Sequence, residues 1–329
     1  MKELEAIMNN LFYGILLPML ITITPFEFNY YHDNKSSVKK AIIWGIISFI
    51  VCLFVTIIDF NNLRLDISRI RLTTTIIISI STIISTLFNI GLVKEIVNAK
   101  KAMKLLLVLS LFFFIQLTQY IPIKLFNLDS HNLSSKEQTY LTLFSDSILL
   151  IILVFLYRKE LKEQFNEFKR NFYSFIDTGF KYWLIGLIVM VVSNLLINAF
   201  SSAVAGNENS VQNLIHGAPF ASIICIGMLA PFIEEMTFRK AFYDTFSKKW
   251  MFVLVSAFVF GSLHIIFSYQ SLWDFLYLIP YCSLGVAFGC TMVKTKNIFP
   301  SILIHMFHNT CLTILSITSS LAIIRMLPW

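Results

Sequence analysis

The sequence predicts an all-α, polytopic transmembrane helical bundle of about ten spans, or eight to nine if one segment is re-entrant. Three observations carry that expectation. Of 329 residues, 57% are hydrophobic and only 14% charged, with 32 phenylalanines, whereas a soluble chain carries about 25% charged residues. Apolar stretches near the ~20 residues needed to cross the hydrocarbon recur along the whole length. The lysines and arginines behind a net charge of +7 gather in short segments between those stretches. In a soluble domain such an excess would point to nucleic acid. Here positive loops on the cytoplasmic side account for it, and the bilayer, not nucleic acid, is the expected partner.

The spans fall at roughly 6–26, 40–60, 73–93, 103–125, 139–157, 182–204, 218–246, 250–268, 273–293 and 298–325. The first follows Lys2, Glu3 and Glu5 and has no small-residue cleavage site behind it, so it reads as a span rather than a cleavable signal. Loop charges set the orientation of the C-terminal half. Residues 158–181 hold Arg158, Lys159, Lys162, Lys169, Arg170 and Lys181; Lys240, Lys248 and Lys249 follow Arg239; Lys294 and Lys296 fill the next basic turn. Loops 205–217 and 268–273 hold no lysine or arginine. The basic turns are therefore cytoplasmic in a multi-pass cell-membrane protein. Residues 61–72 carry Arg64, Arg69 and Arg71 where the alternation wants an outside loop. Either one N-terminal span is miscounted or the rule is broken there.

Within 158–181, Leu161, Phe165, Phe168, Phe172, Phe175 and Ile176 recur at helical spacing, with charged residues on other faces. This pattern fits an amphipathic helix on the inner membrane surface. It divides the chain into a five-span region (1–157), an interfacial connector (158–181) and a second membrane domain (182–325) that holds every catalytic-looking group. The connector reads as a link between bundles rather than as a sensing element. The five cysteines, Cys52, Cys225, Cys282, Cys290 and Cys311, lie in apolar segments without a Cys-x-x-Cys pair. Neither a disulfide framework nor a thiolate zinc site is indicated.

The chemistry gathers on three spans. Glu234, Glu235 and Arg239 lie in an apolar segment, where carboxylates and an arginine are expensive to bury and by default mark function. Glu235 and Arg239, four apart, can pair on one helical face, while Glu234 points about 100° away and lacks that partner. Such a carboxylate suits the activation of a water. The bland alternative, a solvated membrane end, conflicts with the position of the basic turn at Lys248 and Lys249. At ~1.5 Å per residue Glu234 lies about 20 Å before that turn and His264 about 23 Å beyond it, at similar depth. His264 follows Phe260 by one turn; alone it is as readily an interhelical hydrogen bonder. His305, His308 and Asn309 stand at i, i+3 and i+4 on the last span, and His308 either joins its neighbours or faces another helix. Glu234, His264 and His305 suit zinc with an open fourth position; the same groups also serve a glutamate-activated water with no metal. The His-Glu-x-x-His and Gly-x-Ser-x-Gly signatures are absent from the sequence.

Glu-Glu-x-x-x-Arg (Glu234, Glu235, Arg239), Phe-x-x-x-His (Phe260, His264) and His-x-x-x-Asn (His305, Asn309), in order on separate spans, resemble the CPBP or Abi family. Its members are CAAX prenyl proteases and bacteriocin-processing proteins related to the type II CAAX endopeptidase of eukaryotes. The resemblance covers roughly residues 180–325. It implies an intramembrane (metallo)endopeptidase whose cavity opens toward the cytoplasm and whose substrate is a membrane-associated peptide or protein. Leader-peptide removal, pheromone maturation and bacteriocin immunity are the natural settings. Glu234 would activate water with His264 alongside, His305 and Asn309 would bind metal or the oxyanion, and Glu235 and Arg239 would support the site. Many relatives follow the arginine with glycine, where this chain has Lys240.

Two other classes compete. A non-catalytic scaffold or regulator, for instance beside a sensor kinase, would not need to bury Glu234 and His264. A secondary transporter would show inverted repeats and broken helices in both halves, yet the ionisable groups gather in one.

Overall fold

The computed structural model describes residues 99–130, 132–200, 206–266 and 272–318. The chain divides into two compact units, Met1–Phe113 and Phe114–Trp329. The spans expected at 6–26, 40–60 and 73–93, with the arginines of 61–72, lie outside the described residues. All elements described are helical. Among the described residues five helices are long and apolar enough to cross a membrane, and Lys249–Ile266 is a further, shorter apolar helix. Those five fall on the stretches expected at 139–157, 182–204, 218–246, 273–293 and 298–325.

The stretch expected as a span at 103–125 is instead broken. Helix α1 (Ala99–Phe114) gives way to a 3-10 segment, Ile115–Gln119, and a six-residue α2 (Tyr120–Leu125). Polar side chains explain the break. Thr118 Oγ1 donates to the carbonyl of Ile115 at 2.6 Å, a local bond that competes with the helical ladder. Gln119 donates to Ser145 Oγ on the next helix at 3.2 Å.

Helix α3 (Ser135–Leu156) opens on a capping box in which Ser134 and Glu137 satisfy each other's backbone N–H. The amphipathic run read over 158–181 is not one helix: α4 (Arg158–Arg170) stops at Asn171, and Phe172, Phe175 and Ile176 belong to the long α5 (Phe172–Phe200). Asn171 makes the corner. Its side chain donates to the carbonyl of Glu167 at 3.1 Å, and its own carbonyl accepts from Phe175 N. The segment expected as an outside loop at 205–217 is largely helix α6 (Gly206–Gly217).

Helix α4 docks on the turn between α9 (Leu278–Thr295) and α10 (Phe299–Thr318). Buried Asn297 donates to the carbonyl of Gln164 at 2.7 Å, and Ile298 N donates to Gln164 Oε1 at 3.0 Å. Phe165 and Phe168 pack on Phe299, at ring centroid distances of 5.2 and 5.9 Å. Asn297→Ala removes the side-chain donor to the Gln164 carbonyl and to Glu167 Oε2, and the acceptor of Phe299 N. It is expected to destabilise this junction by about 1–3 kcal/mol, read as a lower Tm in detergent micelles.

Helix α9 runs between α5 and α8 (Lys249–Ile266), with close approaches at small residues. A Cβ on Gly285 would stand 2.9 Å from Ala257 Cα, and one on Gly186 3.0 Å from the carbonyl of Ser283. Small residues let apolar helices approach where lipid offers no competing hydrophobic force. Gly285→Val meets backbone on α8, which cannot step aside. A loss of about 1–3 kcal/mol follows, visible as reduced folded yield and Tm.

Candidate active site

Helix α7 (Pro219–Thr245) carries the paired glutamates and has two wide turns, Cys225–Leu229 and Glu235–Lys240, in the π conformation. Such bulges concentrate at functional sites. The first has a visible chemical support. Pro231 has no N–H to offer the carbonyls of Ile226 and Gly227, five and four residues back. Helix α10 supplies the donors instead: Asn309 Nδ2 reaches Ile226 O at 3.2 Å and Thr310 Oγ1 reaches Gly227 O at 3.2 Å. Asn309 thus ties α10 to α7 with one amide hydrogen and keeps a second.

The second wide turn begins at Glu235, and both glutamates meet one imidazole. His305 Nδ1 donates to Glu235 Oε1 at 3.0 Å, while its Nε2 lies 3.6 Å from Glu234 Oε2, beyond hydrogen-bond length. The ring is stacked on Phe288 at 4.6 Å and edge-on to Phe260. The sequence left Glu234 without Arg239 as a partner; the structure sets it against His305, because α10 crosses where both carboxylates project.

Behind this layer Glu235 and Arg239 are wholly buried. Arg239 Nε stands 3.5 Å from Glu235 Oε1, an ion-pair contact without hydrogen-bond alignment, so Nε, Nη1 and Nη2 make no hydrogen bond. The guanidinium lies over Phe260 at 4.3 Å and faces Phe288 at 5.6 Å. Aromatic faces attract a desolvated cation in place of the missing bonds. Lys240 is also buried; it pairs with Asp244 at 2.6 Å and lies over Tyr157 at the end of α3.

His264, on α8, donates from Nδ1 to the carbonyl of Phe260 at 2.8 Å and stacks on Tyr281 at 4.6 Å. With Nδ1 protonated, the lone pair of the neutral ring lies at Nε2. His308 accepts from Trp183 Nε1 at 3.4 Å.

Glu234, His264, His305, His308 and Asn309 line a single cavity of about 190 Å³, room for several waters. Glu235 and Arg239 do not line it; they stand behind His305. Among the described residues no three His, Cys, Asp or Glu side chains group as a metal site requires. His305 and Glu234 approach each other, but no third ligand joins them.

One lining residue was missed. Asp146, on α3, borders the same cavity and receives the Cys225 thiol at 3.6 Å. The reading that the spans before 158 hold no catalytic-looking group is corrected by this carboxylate. Its signal was available, an acid inside an apolar stretch, but no recognisable spacing linked it to the later spans.

Residues 216–311 match the family described as type II CAAX prenyl endopeptidase Rce1-like, which agrees with the resemblance carried by the three motifs. Among curated proteins, "Putative membrane peptidase YdiL" of Bacillus subtilis (strain 168) is 26% identical over 151 residues, 40% of this chain and 58% of that one. "UPF0177 protein YaiF" of Lactococcus lactis subsp. lactis (strain IL1403) is 32% identical over 108 residues, 32% of this chain and 46% of that one. "UPF0177 protein YbdI" of the same strain is 25% identical over 144 residues, 41% and 76%. The chain thus spans about half the length of the first two relatives. No solved structure matches it.

Proposed function

We propose that the chain is an intramembrane endopeptidase that hydrolyses membrane-associated peptides or proteins with a glutamate-activated water, a reading supported by the match of residues 216–311 to the type II CAAX prenyl endopeptidase Rce1-like family. One observation carries the reading: Glu234 and His305 face each other across 3.6 Å at the wall of a cavity shared with His264 and Asn309. A water lodged on Glu234 loses a proton to its carboxylate and attacks the scissile carbonyl. His264 accepts a hydrogen bond from that water at Nε2 and holds it in line. The second amide hydrogen of Asn309 meets the oxygen that becomes negative, while His305, held by Glu235 through Nδ1–H, turns its Nε2 lone pair toward Glu234 as that carboxylate takes up the proton. Glu234 returns the proton to the leaving amine, so the proton balance closes. No step runs through a metal.

The cavity opens toward the cytoplasm in this reading, on the side of the basic turns at Lys248–Lys249 and Lys294–Lys296. Maturation of leader or pheromone peptides, or bacteriocin immunity, would supply such substrates.

The test is cleavage of a pool of membrane-anchored, fluorescence-quenched peptides by the full chain in liposomes. Activity is expected to survive exhaustive treatment with a strong chelator. Loss on chelation with recovery on added zinc would overturn the metal-free mechanism while leaving the peptidase.

A further inference from the structure

His308 has a chemistry that the hydrolytic scheme does not use. It is buried, lines the cavity, and stands outside the His-x-x-x-Asn pair. The indole of Trp183 is a donor only, and it reaches His308 Nδ1 at 3.4 Å. An imidazole that accepts at Nδ1 carries its single proton at Nε2. That Nε2 is fully enclosed and meets no partner among the described residues. A buried donor without an acceptor is destabilising by itself and calls for an explanation. Its partner is not on α5, since Trp183 occupies the ring's opposite edge and does not line the cavity. Trp183 is in turn held by Phe180 and Phe307, at ring centroid distances of 5.1 and 5.8 Å, so the indole is not free to release the ring.

We propose that His308 presents its Nε2–H as a hydrogen-bond donor to a main-chain carbonyl of the substrate peptide, with Trp183 as the positioning residue that fixes the tautomer. This rests on the peptidase reading above. The carbonyl is that of a residue beside the scissile bond. His305 and Asn309 are one turn apart along α10 and face Glu234 and the first wide turn of α7. His308 is offset around the helix toward α5 and reaches one side of that line. A donor placed there binds substrate and transition state alike, so it acts on KM more than on kcat.

Two measurements on the full chain test this. The first is ¹⁵N NMR of histidine-labelled protein in micelles, with the His308 signals assigned by their loss in H308Q. Wild type should show His308 protonated at Nε2, and W183F should redistribute the proton between the two nitrogens. A wild-type His308 protonated at Nδ1 overturns the proposal. The second is steady-state cleavage of the quenched peptide pool. H308F, which keeps a ring but no donor, is expected to raise KM about 10-fold with little change in kcat, the size of one neutral hydrogen bond. H308Q restores an N–H near the same place and should recover most of that loss. W183F should fall between the two. An active wild type with an unchanged KM in H308F, or H308Q no better than H308F, overturns the proposal alone. A wild type inert toward the pool overturns the peptidase reading and this inference with it.

Discussion

Glu234→Gln is expected to lower peptide cleavage by about 10³-fold, within the 10²–10⁴-fold range of a positioned general base, while Tm and micellar elution stay at wild-type values. The amide keeps the shape of the side chain at the cavity wall and its approach to His305. It cannot take a proton from water. A conserved fold with a lost rate separates catalysis from scaffolding, because a purely structural partner would tolerate the isosteric change. Kinetics in liposomes with the quenched peptide pool provide the check. Equal rates for the two proteins would favour a non-catalytic role.

Arg239→Leu is expected to act on the fold itself. Arg239 and Glu235 are both wholly buried, and among the described residues the arginine is the cation paired with that carboxylate, which also accepts from His305. Breaking a buried pair by removing one partner leaves a charge without compensation, a loss of about 3–5 kcal/mol. Arg239→Lys should rescue little. A compact ammonium cannot lie flat between Phe260 and Phe288 as the guanidinium does. The double change Glu235→Leu, Arg239→Leu should regain most of the stability lost by Arg239→Leu alone, since apolar pairs of similar volume often replace buried ion pairs without loss. It should remain inactive, because His305 then loses the carboxylate that orients it. Thermal unfolding of wild type, Glu235→Leu, Arg239→Leu and the double variant in the same detergent measures the coupling. Additive losses would contradict the paired arrangement.

Much of the site was legible because its residues obey rules local to one helix. Glu235 and Arg239 at i, i+4 form the expected pair, and the expense of charge in an apolar segment singled out α7. The parts that were not legible depend on how helices cross. The approach of Glu234 to His305 joins residues 71 positions apart in the sequence and requires α10 to pass the wide turn at Glu235. No periodicity reports a π turn, because one extra residue shifts the face without changing the composition. Pro231 was a clue that went unused, since a missing N–H demands outside donors for the carbonyls before it. The fold shows the same division. Apolar length alone located α3, α5, α7 and α10, whereas the ends of α4 and the interruption at 115–119 depend on Asn171, Thr118 and Gln119 acting through side-chain hydrogen bonds. Asp146 belongs to the site only because α3 folds back against α7, and nothing in its own neighbourhood announces that.

Oxygen-isotope transfer measures the central step most directly. Proteoliposomes of the intact chain are incubated with the membrane-anchored peptide pool in ¹⁸O-enriched water, and the new carboxyl termini are read by mass spectrometry. Wild type should place one ¹⁸O atom at each fresh terminus in a single turnover, and Glu234→Gln should yield no labelled product above background. Labelled product from Glu234→Gln at the wild-type rate, or no cleavage by wild type at all, would contradict hydrolysis by a water held on Glu234.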